Sequence, residues 1–215
     1  MSNLIGLDRT SEPAQLPVTL TEMKQFLRID GDDENELLST FLETAVTSAE
    51  QFLRRSLITQ TWKLTLDRFP ELANGRYADF EGMIERPVSY VLNQAGEIYL
   101  PRGKANSVTS LVTYDDSNTT STFSASNYTL NTATDRISLN SGQAWPGALR
   151  DRAAVEITYV AGYGLTSASV PQPIRTAIMM AAGKIYDERI DCGLPENCQA
   201  LLRQYRIVDN LSSMG

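Results

Sequence analysis

The hydrophobic and polar positions of Asp32 to Trp62, DDENELLSTFLETAVTSAEQFLRRSLITQTW, frame the rest of the chain. Leu37, Leu38, Phe41, Leu42, Ala45, Val46, Ala49, Phe52 and Leu53 recur at steps of three and four, which puts them on one helical face. Glu34, Glu43, Glu50, Arg54 and Arg55 fall on the polar face. Acid lies in the first turn and base in the last, as the helix dipole favours. Asp33 with Glu36 resembles a capping box in which Asp replaces Ser or Thr. The period then changes. Thr61 to Asp67 (TWKLTLD) alternates, so a strong helix feeds directly into β-rich sequence.

Upstream, residues 1–16 are polar and irregular and are expected to be a flexible N-terminal arm, either a frayed terminus or a segment that orders against a neighbouring subunit. Thr19-Leu-Thr-Glu22 is a capping box and predicts a short helix to about Arg28 that buries Leu20, Met23, Phe26 and Leu27. Downstream, Ile58 to Asp67 is a strand with Trp62, Leu64 and Leu66 on one face. Residues 68–96, rich in Gly and Pro, are expected to be a long loop with short strands. Strands follow at Glu97–Pro101, Val108–Tyr114, within Thr120–Leu130, at Arg136–Leu139 and at Ala153–Ala161, with a turn at Asp115–Asn118 and a rigid bend at Trp145-Pro-Gly147. Pro171 and Pro173 precede a second long helix, 174–189, whose face carries Ile174, Ala177, Ile178, Ala181, Ile185 and Tyr186. Pro195 opens a shorter helix with Leu201, Leu202 and Tyr205 on one side.

Helices therefore come from both ends of the chain and strands from its middle. The expected fold class is α+β: a small helical bundle built from both ends (residues 17–56 and 165–207) with a β-sandwich or barrel-like insertion (57–164) between them, and a C-terminal tail at 208–215. The 34–55 and 174–189 helices are expected to pack on each other, because each carries a wide apolar stripe. Nothing approaches the ~18 apolar residues of a membrane-spanning helix, and the first residues show no secretory pattern, so synthesis in the cytoplasm and no membrane contact are expected.

Charge and composition narrow the chemistry. A net charge of −7 argues against a sequence-independent DNA-binding groove, which needs a dense Lys/Arg surface, while suiting a wall along which DNA slides. The chain has no histidine, which removes the commonest general base and metal ligand. Cys192 and Cys198 lack zinc spacing and are expected to be free thiols. The acidic run Asp30–Glu36 fails the calcium-loop pattern, because Asn35 and Phe41 occupy the positions that need Gly and Glu; it reads as a turn with a helix cap. Gly162-Tyr-Gly164 lacks the third glycine of a dinucleotide loop and the Lys-Ser/Thr of a P-loop, so it reads as a turn. Asp115 and Asp116 sit on a turn, and Asp187, Glu188 and Arg189 on a solvated helix end. No serine has a nucleophile-elbow setting. No catalytic residue, metal or cofactor is expected, which leaves an interaction protein.

One resemblance supplies what composition cannot. The succession PVTLTEMKQFLRID-GDDE, LITQTWKLTLDRFP, IYLPRG…SVTSLVTYDD, WP, VEITYVAGYG…VPQPIRTAI and IYDER, running from Pro17 to Arg189, resembles the head–tail connector (adaptor) family of tailed bacteriophages, the HK97 gp6-like and phiE125 gp8-like proteins. The resemblance implies a structural protein of the virion neck, assembled in the host bacterial cytoplasm, that forms a ring, commonly twelve-fold, under the portal. It would extend the DNA channel without gripping DNA sequence-specifically and dock the next tail-completion (stopper) protein. For portal contact the expected residues are Leu202, Tyr205, Ile207, Val208 and Leu211 in the segment from Leu201 to Leu211; the alternative is that they cover the bundle's own core. For ring contact they are Glu43, Glu50, Arg54 and Arg175 on helix faces. The competing readings are another neck protein, such as a stopper, and a hydrolase working with carboxylates alone, which needs two carboxylates converging in a pocket.

Overall fold

A computed structural model of the chain describes residues 4–69, 92–93, 96–189 and 193–207. Among these residues the fold is α+β, with four α-helices and two antiparallel sheets. The described residues divide into two compact units, one of residues 13–59 and 162–207, the other of 4–12 and the described part of 60–161.

The first unit is helical. Helix α1 (Leu20–Leu27) starts as its sequence dictates. The Thr19 hydroxyl accepts from the Glu22 N–H at 3.2 Å, and the Glu22 carboxylate accepts from the Thr19 N–H at 2.9 Å. Helix α2 (Asn35–Leu53) begins differently from expectation. Glu34 is its N-cap and makes no side-chain capping bond, so the Asp33–Glu36 capping box does not form. Instead Asp32 Oδ1 accepts from Asn35 Nδ2 at 3.0 Å and from Lys24 Nζ at 2.8 Å, which ties the acidic turn back to α1. Helix α3 (Gln172–Glu188) starts on the two prolines, where missing N–H groups cost nothing. Helix α4 (Glu196–Leu202) runs into a 3₁₀ turn at Arg203–Tyr205.

Leu42, Ala45, Ala49 and Leu53 of α2 share one buried cluster with Ile174, Ala177, Ile178 and Ala181 of α3. The alanines let the two helices pack closely, as their apolar stripes require. Leu202 and Cys198 of α4 and Met23 of α1 complete the cluster. Gly162 fixes the turn back into this unit: its φ is 144°, and a Cβ there would lie 2.7 Å from the Thr59 backbone.

The second unit holds both sheets. Strands β1 (Leu4–Ser11), β2 (Gln60–Leu66), β5 (Ala105–Tyr114), β6 (Thr120–Thr122) and β9 (Val155–Ala161) form one sheet in the order β1-β2-β9-β5-β6. Strands β3 (Leu92–Asn93), β4 (Glu97–Tyr99), β7 (Tyr128–Asn131) and β8 (Arg136–Leu139) form the other, in the order β3-β4-β8-β7. In β2 and β9 every second residue is buried, as the alternation predicts. Trp62, Leu64, Leu66, Ile157 and Tyr159 of the first sheet join Ile98, Tyr128 and Ile137 of the second in one apolar cluster. The Tyr159 hydroxyl, inside this cluster, donates to the Pro101 carbonyl at 2.7 Å, and burial pushes its pKa far above the ordinary tyrosine value.

The expected N-terminal arm is where this unit departs most from the sequence reading. Residues 4–11 are strand β1, paired antiparallel to β2 from Leu4↔Leu66 to Ser11↔Thr61. Two register shifts, between Leu4 and Gly6 and between Arg9 and Ser11, break the alternation that would have marked the strand. Pairing to a strand some fifty residues away is invisible in a local window. Of residues 68–96, those described include β3, a short strand within the expected loop; the rest lie outside the described residues.

Candidate functional site

The candidate site is a surface, and the expected contact residues can be placed on it. The four expected ring-contact residues separate into two kinds. Glu43 is exposed on α2, and Arg54 is exposed as its C-cap, in the left-handed conformation with φ 54°. Glu50 and Arg175 face inward instead. Glu50 Oε1 accepts from the Leu57 N–H at 2.8 Å and so pins the exit from α2. Arg175, with a side chain 13% exposed, donates Nε–H to the Pro17 carbonyl and NH1 to Gln172 Oε1, both at 3.0 Å, and pairs with Glu22. The Thr19 N–H, first, and Arg175, second, hold the Glu22 carboxyl below its ordinary range. Arg175 thus locks α3 to the start of α1 within its own subunit.

The expected portal-contact residues divide similarly. Leu202 is fully buried in the helical core. Tyr205 is half-buried against that core, and its carbonyl accepts from Arg55 Nε at 2.6 Å. Ile207 is half-buried, and its N–H donates to the Leu53 carbonyl at 3.0 Å. Leu202, Tyr205 and Ile207 thus pack on or bond to their own bundle. Val208 and Leu211 lie outside the described residues.

What stays outside is a different set. The large hydrophobic side chains exposed among the described residues are Phe26, Leu165 and Leu201, at 45%, 69% and 36%, and all three belong to the helical unit. Phe26 was expected inside with Leu27. It lies instead on the rim of an open groove of about 530 Å³, lined also by Leu27, Met180, Gly183, Asp187 and Glu188. Leu201 points out while Leu202 points in, because adjacent helical positions differ by about 100°. Around Leu201, Arg203, Gln204 and Arg206 are exposed. The Arg206 guanidinium sits 5.0 Å over the Phe52 ring. The sequence signal for this patch is Arg203 and Arg206, three residues apart, to which the sequence alone assigns no role.

The expectations about chemistry can be placed as well. Asp115 Oδ1 accepts from the N–H groups of Ser117 and Thr119, so it builds its turn rather than a site. Among the described residues, no group of three or more acidic, His or Cys side chains is arranged to hold a metal. Cys198 is a buried free thiol whose pKa burial pushes up; Cys192 lies outside the described residues. No helix of the described residues is long and apolar enough to cross a membrane.

The family model for the phage gp6-like head–tail connector protein matches residues 17–135, more than half of the chain. The chain belongs to the gp6-like head–tail connector family. As a connector it is a structural protein rather than an enzyme. No curated protein sequence matches it. Solved structures do. A chain in the neck of an empty gene transfer agent particle, computed with C6 symmetry, superposes with a TM-score of 0.73 at 20% identity, covering 98% of this connector and 100% of that chain. A chain in the neck of the native particle, computed with C12 symmetry, gives 0.69 at 21% identity, with 98% and 100% covered. A chain of the native gene transfer agent virion gives 0.71 at 19% identity, with 97% and 99% covered. The connector fold thus extends along nearly the whole chain, including α3 and α4, which lie beyond the family match.

Proposed function

We propose that this connector is the head–tail adaptor of a tailed phage, prophage or gene transfer agent particle, located in the virion neck. In this reading about twelve copies form a ring under the portal, extend the DNA channel and receive the next tail-completion (stopper) protein. The helices of residues 17–56 and 165–207 stand side by side as staves of the ring. The insertion, 57–164, carries the two antiparallel sheets, apart from strand β1, as a separate β module. The observation that carries the reading is the near-complete, two-way coverage of chains from necks computed with C6 and C12 symmetry. A heterologous contact, in which one face meets a different face of the next copy, generates such a ring. Exposed Glu43 and Arg54 remain the candidates for it, whereas the inward-facing Glu50 and Arg175 act by shaping the subunit. DNA passes a surface of net negative charge, which does not retain phosphates.

Cryo-electron microscopy of the assembled particle tests the placement: a ring of this chain directly against the portal is expected, and a position one ring further out would make it a stopper. Pull-down with the portal tests the C-terminal segment. Deleting residues 201–215 should abolish capture while circular dichroism shows the rest of the chain still folded, and undiminished capture would move the portal contact elsewhere.

A further inference from the structure

The helical unit is electrically polar along α2. At the N-terminal end of α2, Asp30, Asp33, Glu36, Asp187 and Glu188 are exposed. The last two belong there because Tyr186 donates to Glu34 Oε2 at 2.6 Å and Arg189 lies 3.9 Å from Glu34. At the other end, about 28 Å away by the rise of the helix, four arginines gather. Arg54 and Arg55 end α2, and Arg55 bonds the Tyr205 carbonyl. Arg203 and Arg206 flank Tyr205, and Arg206 packs over Phe52. In a chain of net charge −7, four of the nineteen basic residues lie together here, and each is Arg rather than Lys.

We infer that this arginine end, with Arg203, Arg206 and Leu201 at its centre, is a docking face for an acidic protein segment. Arg offers a planar fork of N–H donors that meets a carboxylate bidentately, where Lys offers a point charge. Arg55 is already positioned by a hydrogen bond and Arg206 by stacking, so less side-chain freedom is lost on binding. The patch mixes Arg with aromatic and aliphatic surface, Tyr205, Phe52 and exposed Leu201, a composition of protein interfaces rather than of phosphate-tracking grooves. Duplex DNA is the weaker fit. Sequence-independent binding of a duplex needs a dense Lys/Arg surface that tracks phosphates, and the chain's net charge of −7 opposes its approach. This inference deepens the docking role proposed above and rests on it only for which neck protein supplies the acidic segment.

Fluorescence anisotropy with the full chain tests it, using a labelled peptide of alternating glutamate and leucine and, separately, a labelled random-sequence duplex DNA. The peptide should bind at physiological salt and the duplex should not. Arg203→Glu, at an exposed position, should weaken the peptide at least about tenfold. Arg203→Lys, which keeps the charge and loses the fork, should weaken it by a smaller factor. Lys104→Glu, in the β unit, should leave it unchanged. Thermal unfolding of Arg203→Glu should match the wild type, separating a lost contact from a lost fold. Absent peptide binding, tighter binding of the duplex than of the peptide, or an Arg203→Glu affinity equal to wild type would each overturn the inference. The portal pull-down stays independent: if deletion of residues 201–215 leaves portal capture intact while the peptide binds the full chain and not the deleted one, the portal assignment fails and the acidic-segment chemistry stands.

Discussion

Tyr159 and Leu165 are six residues apart and have opposite fates. Tyr159, in the β unit, is fully buried and its one polar atom is spent on the Pro101 carbonyl. Leu165, in the helical unit, is 69% exposed on a loop that is nonetheless firmly held, with its carbonyl accepting from Gln15 Nε2 at 2.9 Å and the Gly164 carbonyl accepting from the Thr59 N–H at 3.0 Å. The contrast extends to the described residues of the two units. In the β unit Trp145 stacks on Phe69 with ring centres 4.5 Å apart and donates its indole N–H to the Gly96 carbonyl at 3.1 Å. The helical unit packs with alanine and keeps Phe26, Leu165 and Leu201 on its surface. Surface apolar groups held by ordered backbone suit contact with other chains. Among the described residues the exposed large hydrophobic side chains thus all belong to the helical unit.

The comparison can be broken by experiments of decreasing effect. Ile157→Ala in the β unit and Leu42→Ala in the helical unit each empty a fully buried site and should each cost about 2–5 kcal/mol in urea unfolding. If one cost less than about 1 kcal/mol, that unit's core would not be the closed one described. Gly162→Ala drives a methyl into the Thr59 backbone at a φ that L-residues avoid, and should cost about 2–3 kcal/mol by the same measurement. Tyr159→Phe removes a buried donor and should cost about 1–2 kcal/mol. A neutral result would mean the hydroxyl does not hold the Pro101 segment.

Glu22→Gln is a smaller test and carries a pH signature. The Glu22 carboxyl is held below its ordinary value of 4.5, so its contribution is present above about pH 4.5 and is lost as pH falls through the lower folded value. Because the side chain is 37% exposed, solvent screens it and the loss should stay under about 1 kcal/mol. The wild-type advantage over the Gln variant should vanish in acid; an advantage constant from pH 7 to pH 3 would exclude the charge as its source. Leu165→Ser should change the stability of the isolated chain by less than about 0.5 kcal/mol. A larger loss would show that Leu165 is packed after all, and would remove it from the surfaces left for other chains.

Much of this was legible from local pattern. The capping box at Thr19–Glu22, the stripe from Leu38 to Leu53, the alternation in β2 and β9 and the proline start of α3 all lie within windows shorter than two helical turns or one strand, or repeat such windows. The same stretches carry the family resemblance, and with it the structural rather than enzymatic role.

Other features depended on partners distant in the chain. Nothing in residues 4–11 announces that β2 offers them an edge, and two register shifts hide the period. Nothing in QALLRQYR says which of two adjacent leucines faces the core; α2 and α3 decide that. Arg175 reads as a solvent-facing charge until Glu22 and the Pro17 carbonyl, more than 150 residues away, close around it. Sequence by itself determined most of the elements and their order, because periodicity and capping are local quantities. Tertiary structure alone decided which charges and leucines remain for other chains, because burial is set by whatever else in the molecule arrives at the same place.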